Sequence, residues 1–253
     1  ERFEIQRSTV KNERQQNFYI FSYGRVEEEL FKNIYPEGHP YSWHFIGYIE
    51  DLNRVDVSDL KKFFLRWYNP NNATLTISGD VKPETAIKMV EKYFASFPAG
   101  PEVKPQVTAT VALTKDRYVS YEYNNINVPE LVVAFPTVPA RHPDEASLDA
   151  LAFALGGSKS SIFRRNVVNT GLASSAYISH PTYELDGYSQ LELQGFQDTS
   201  LSSLDSICRQ YLNAFEKIGI TDEELKIFKA NYESFVINGL EGVRGKGEKL
   251  SEN

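Results

Sequence analysis

Between Phe97 and Val107 lie Pro98, Gly100, Pro101 and Pro105, and no other feature restricts the fold of this chain as much. Each proline lacks a backbone donor and fixes φ, so neither a helix nor a central strand can run through the segment. The patterned stretches on either side must therefore form separate blocks: residues 1–98, a linker at 99–116, and residues 117–253. At 253 residues the chain is long enough for two ordinary domains, each with its own core.

In the first block the spacing predicts a helix over residues 3–16 and a second over 25–34, followed by the loop YPEGHPYSWH. A third helix follows Ser58, with Leu60, Phe63, Phe64 and Trp67 at i, i+3, i+4 and i+7, and stops at Asn69-Pro70. Residues 73–78 (ATLTIS) read as a strand, and Pro83 opens a helix with Ala86, Val90, Phe94 and Phe97 on one face. The second block predicts strands at 118–123 and 131–135, then a helix carrying Leu148, Leu151, Ala152 and Leu155 that Gly156-Gly157 closes. Strands near 173–178 and 188–195 precede a long helix marked by Leu204, Ile207, Tyr211 and Phe215. Thr221-x-x-Glu224 is a capping box that opens the last helix, and the Gly-rich EGVRGKGEKLSEN end reads as a frayed terminus or a cut linker. Strand, turn and amphipathic helix recur at 73–97 and 188–218. The expected class is α+β: two related sandwich-like units, each an antiparallel or mixed sheet covered by helices on one face.

Composition excludes several functions. With 16 Phe and 15 Tyr the chain is too aromatic to be disordered. Its net charge of −7, with scattered acids and no Lys/Arg stripe, argues against a nucleic-acid partner. No apolar stretch approaches the roughly 18 residues that span a bilayer, and residues 1–20 lack the apolar core of a secretory signal. The lone Cys208 rules out an internal disulfide or a thiolate cluster, and its apolar neighbours at helical spacing mark it as core. The chain opens on ERFEIQRSTVKNERQQ, charged and helix-like with no initiator Met, and is expected to begin inside a longer polypeptide.

Candidate chemistry is sparse. No two of His39, His44, His142 and His180 have the i, i+4 helical spacing that aims two rings at one metal. His39 and His44 share a Pro/Gly loop, where solvated or packing roles are favoured over a local metal pair; His142 and His180 read as helix-start and turn residues. Gly156-Gly157-Ser158-Lys159-Ser160 lacks the strand-glycine arrangement of a phosphate loop and reads as a helix end with a tight turn. On the first helix Gln6 and Glu13 stand seven residues apart, two turns along one face. A carboxylate at Glu13 either reaches into a site or is a surface charge, and the residues alone leave both open.

VKNERQQN, YPEGHPYSWHFIG, WYNPNNATLTISGDVKPETA and LGGSKSSIFRRNVVNTGLASSAYIS together resemble the insulinase and pitrilysin family of zinc peptidases, the inverzincins with an H-x-x-E-H motif, over nearly the whole chain. In that family the two His of the motif and a Glu on the following helix bind zinc, while the motif's own Glu activates a water on the metal. The resemblance implies that Glu13 is the third zinc ligand. It also implies that Gln6 replaces a carboxylate often found seven residues before that ligand; an amide can hydrogen-bond but cannot act as a base. An Arg and a Tyr that hold substrate backbone in the family fall here on Val167 and Ser174.

On this resemblance residues 1–98 are the C-terminal part of a zinc-bearing first domain and 117–253 the second domain. The H-x-x-E-H pair would lie upstream of Glu1, so the fragment is expected to be inactive alone. The parent would be a zinc endopeptidase that closes on a peptide or unfolded polypeptide, working with the other half of the same chain or a second subunit. Bacterial members are commonly exported, which implies a periplasmic or secreted protein. The alternative is a non-catalytic scaffold or peptide-binding relative, favoured by Gln6 and disfavoured by Glu13; fold does not separate the two.

Overall fold

Local signals place most of the helices. In the computed structural model, which describes residues 2–109, 111–122, 126 and 128–252, α1 spans Arg2–Arg14 and runs directly into a π-helical segment, Gln15–Ile20. α2 (Val26–Ile34) places Glu27, Glu28 and Glu29 in its first turn, where the helix dipole favours negative charge. A short α3 (Ile49–Arg54) precedes α4 (Val57–Trp67), whose capping box joins Asp56 to the amides of Ser58 and Asp59 and the Asp59 carboxylate to the amide of Asp56. α4 ends just ahead of the predicted stop, and α5 spans Pro83–Phe94. Then follow β1 (Glu130–Thr137), α6 (Glu145–Ala152), β2 (Ser175–Ser179), β3 (Gly187–Gln194), α7 (Leu201–Ile218), α8 (Asp222–Glu241) and α9 (Val243–Ser251). Gly219, at φ 70°, ends α7, and α8 opens on the expected box, Thr221 N–H donating to Glu224 and Glu224 N–H to Thr221 Oγ1.

The chain is α+β and divides into two compact units, Glu1–Tyr48 with Val107–Phe228 and Ile49–Gln106 with Lys229–Asn253. The first holds an antiparallel sheet in the order β1-β3-β2. Alternation splits it into two faces. Leu131, Val133, Ala176, Ile178, Leu191 and Leu193 pack with Ala152, Leu155, Phe163, Val167, Leu204 and Cys208 into the main core, under α6, α7 and the π-helical segments Phe153–Gly157 and Arg164–Val168. Gly156 is required there by close approach, since a Cβ on it would lie 2.1 Å from Ile178 Cδ1. The other face carries Glu130, Gln190, Glu192 and Gln194; its Ala134 and Tyr188 end packs against Phe31, Ile34 and Tyr35 at α2.

The second unit consists of α3, α4, α5, α9 and the C-terminal part of α8. None of its described residues is buried: Leu60, Phe63, Phe64 and Phe94 form the expected apolar stripes but remain about half exposed. Residues 73–78 are not a strand, because no strand among the described residues pairs with them and an extended segment without a ladder has no sheet to join. Instead Ser78 Oγ donates to the Val243 carbonyl at 2.8 Å. Residues 118–122 likewise form no strand, and Tyr123 lies outside the described residues. The Gly-rich end forms α9 rather than fraying, supported by an Arg244–Glu248 ion pair at 2.7 Å one turn apart.

Candidate functional site

The C-terminal end of α1 is seated by one residue. Arg14 is the only buried residue of that helix, 3% exposed, and its Nη2 donates to Glu28 Oε2 on α2 at 2.6 Å. Lys32, one turn further along α2, donates to the other oxygen of Glu28 at 2.8 Å. The guanidinium lies 4.6 Å from the Phe18 ring centre and 5.3 Å from that of Tyr48. Burial alone would raise the Glu28 carboxyl, but hydrogen bonds from Lys32 and Arg14 outweigh it and hold the group below the usual carboxylate range. Burial opposes charge on Arg14 in the same way, and bonding to Glu28 and Tyr19 keeps it firmly protonated.

Glu13 and Gln6 are both exposed on α1. An exposed carboxylate at a fixed helix end suits the role of one metal ligand, but one is all the helix offers. Among the described residues no group of three or more His, Cys, Asp or Glu is placed to hold a metal ion, so these residues do not by themselves make a zinc site.

The four histidines are engaged in packing and hydrogen bonds. His39 is buried, stacked on Tyr35 at 4.7 Å, and its Nδ1 accepts from the Tyr41 amide; burial lowers its pKa, with the charge of Asp186 opposing. His44 Nδ1 accepts from the Ile46 amide, and its Nε2 lies 3.1 Å from Glu27 Oε2. His142 Nδ1 accepts from the Asp144 amide. His180 bridges Asp149 (2.8 Å) and Thr137 (3.0 Å), tying β1 to α6. Cys208 is core, its thiol pushed up to about 11 chiefly by burial.

Val167 and Ser174, the positions to which the resemblance assigns a substrate-holding Arg and Tyr, are both engaged within the fold. Val167 is 0% exposed within the main core. Ser174 Oγ lies 2.9 Å from the carbonyls of both Gln194 and Gly195, at the end of β3.

The sequence did not point to the cleft over the polar face of the sheet, of about 380 Å³, lined by Tyr23, Glu27, Glu130, Tyr188, Gln190 and Glu192. Glu130 pairs with Gln194 and Val132 with Glu192, so the two glutamates are diagonal neighbours on one face. Burial first, and the Glu192 charge second, push Glu130 up to about 7, and burial raises Glu192 as well. Gln190 Nε2 donates to Glu192 at 2.7 Å, and Tyr23 bonds both the Val128 carbonyl and the Gln194 side chain. The signal was present in YSQLELQ, where Tyr188, Gln190, Glu192 and Gln194 alternate with Ser189, Leu191 and Leu193.

Among known proteins, the chain is 26% identical to zinc protease PqqE of Helicobacter pylori over 247 residues, 93% of this chain and 54% of that protein. It is 24% identical to a protein named non-peptidase homolog YmxG of the same organism over 206 residues, 79% of this chain and 45% of the relative. A crystal structure of a protease from Helicobacter pylori superposes with a TM-score of 0.87 at 26% identity, covering 99% of this chain and 61% of that one. The chain thus spans about half the length of the curated relatives it matches. No helix among the described residues is long and apolar enough to cross a membrane. Residues 54–232 match the family described as the Peptidase M16 inactive domain, and the chain belongs to that family.

Proposed function

We propose that this chain is part of a zinc-dependent endopeptidase of the insulinase and pitrilysin type, in which Glu13 supplies the third metal ligand and the other ligands come from elsewhere in the parent. The observation that carries this reading is Glu13 itself: an exposed carboxylate on the position the family motif gives the ligand, at a helix end fixed by a buried ion pair. Residues 1–98 are read as the C-terminal part of the zinc-bearing domain, 99–116 as a linker and 117–253 as the second domain. The uncovered apolar stripes of α4 and α5 fit that reading, since part of a domain leaves its core-facing side bare. The substrate would be a peptide or unfolded polypeptide enclosed between this half and another half or subunit. Placement in the periplasm or outside the cell follows from resemblance. Alone, the chain is expected to be inactive.

The second reading is a peptidase-like scaffold that binds peptides without cleaving them. The family description, the relative named a non-peptidase homolog, and the structural use of Val167 and Ser174 favour it. Zinc stoichiometry and peptide cleavage of the parent chain, intact and as Glu13→Gln, separate the two. About one zinc per chain, lost with cleavage in the variant, upholds the enzyme. No zinc in either form leaves the scaffold.

A further inference from the structure

We infer that Arg14 is the positioning residue for Glu13, an inference that rests on the ligand role proposed for Glu13 above. Consecutive residues of a helix point about 100° apart and rise about 1.5 Å, so fixing the direction of Arg14 fixes that of Glu13. No other residue of α1 is buried, although Phe3, Arg7, Val10 and Lys11 are partly so, and the ion pair to Glu28 ties the C-terminal end of the helix to α2 through Arg14.

That seat is specific. Glu28 holds the guanidinium at 2.6 Å, Lys32 holds the second oxygen of Glu28, and Phe18 lies under the guanidinium face. Phe18 belongs to the π-helical segment that begins immediately after Arg14, and it is itself buried. An i→i+5 segment resets the phase of all that follows it, and such segments occur frequently at functional sites. The same guanidinium therefore clamps both sides of the α-to-π junction. An apolar residue at position 14 would bury as much surface, and replacing a buried ion pair by apolar groups is often neutral or stabilising. What an apolar side chain does not supply is one discrete orientation.

The test uses the full parent chain and two readouts besides cleavage: zinc affinity, and the visible absorption of the cobalt(II)-substituted protein, which reports ligand geometry. Arg14→Lys keeps the charge and removes the planar fork. It is expected to weaken zinc binding roughly tenfold to 100-fold, the range for residues that orient a metal ligand, and to change the cobalt spectrum. Glu28→Gln is the milder variant and should shift both in the same direction. Leu204→Ala, in the main core, serves as the control: it lowers the melting temperature and leaves both metal readouts unchanged. If Arg14→Lys and Glu28→Gln lower the melting temperature like the control but keep zinc affinity within twofold and the cobalt spectrum intact, Arg14 is purely structural and the inference fails. If Glu13→Gln leaves zinc affinity unchanged, the ligand assignment itself is wrong, a result that Arg14 variants cannot produce.

Discussion

Replacing Glu130 by Gln should remove a pH dependence that the polar face of the sheet builds into the first unit. In the folded chain Glu130 holds its proton up to about 7, against 4.5 for an ordinary glutamate, because it is half buried and diagonal to Glu192. Between these values the folded chain keeps a proton that the unfolded chain has released, so stability falls as pH rises through the window and the loss is complete above about 7. At 1.36 kcal/mol per pH unit, the span corresponds to about 3 kcal/mol. Glu130 borders a cleft open to water, and screening reduces the expected effect to about 1–2 kcal/mol. The other titratable groups lining the cleft are Glu27, Glu192, Tyr23 and Tyr188, and among the described residues no Lys or Arg lines it to offset the charge. Glu130→Gln should therefore match the wild type near pH 4.5 and exceed it by about 1–2 kcal/mol at pH 8. Hydrogen exchange of the β1 and β3 amides across this range measures it directly. Parallel pH curves for the two proteins would refute the reasoning.

Glu28→Ala should cost about 3 kcal/mol in urea unfolding, because Arg14 is left buried without its counter-charge. Gly156→Ala should cost about 1–3 kcal/mol, and much less in an Ile178→Ala background, since the added Cβ collides with Ile178 Cδ1. Val167→Arg should give little folded protein by near-ultraviolet circular dichroism, because position 167 is sealed in the core; a folded variant with gained peptide affinity would contradict the structural reading of that position.

The features legible in the sequence were the local ones. Thr221-x-x-Glu224 opens α8 because a capping box needs only neighbouring residues. The 131–135 and 188–195 strands are found because one sheet face is apolar and the alternation records it. Residues 73–78 carry the same β-branched bias, but a strand exists only through pairing with distant chain, and no partner is present among the described residues. Burial of Arg14 is invisible to any periodicity rule, because what permits it is Glu28, fourteen residues away. The π-helical segments escape a 3.6-residue template by definition. Glu13 was ambiguous until the family resemblance singled it out, and Glu130 fell one residue outside the predicted strand.

Glu27, Glu28 and Glu29 stand together in the first turn of α2, yet each carboxylate has a separate address. Glu27 lines the cleft and lies 3.1 Å from His44; Glu28 turns inward to Arg14; Glu29 bonds Arg25 one turn back at 2.8 Å. Consecutive helical residues diverge by about 100°, so three neighbours on one turn reach three directions. The first turn of α2 thereby joins the end of α1, where Glu13 emerges, to the polar face of the sheet, where Glu130 and Glu192 share the cleft. A disturbance of α2 should reach both places, whereas one in the apolar core beneath the opposite sheet face should reach stability alone. Two of the departures from local rule in this unit, a buried arginine and a glutamate that keeps its proton to about 7, border the same helix turn.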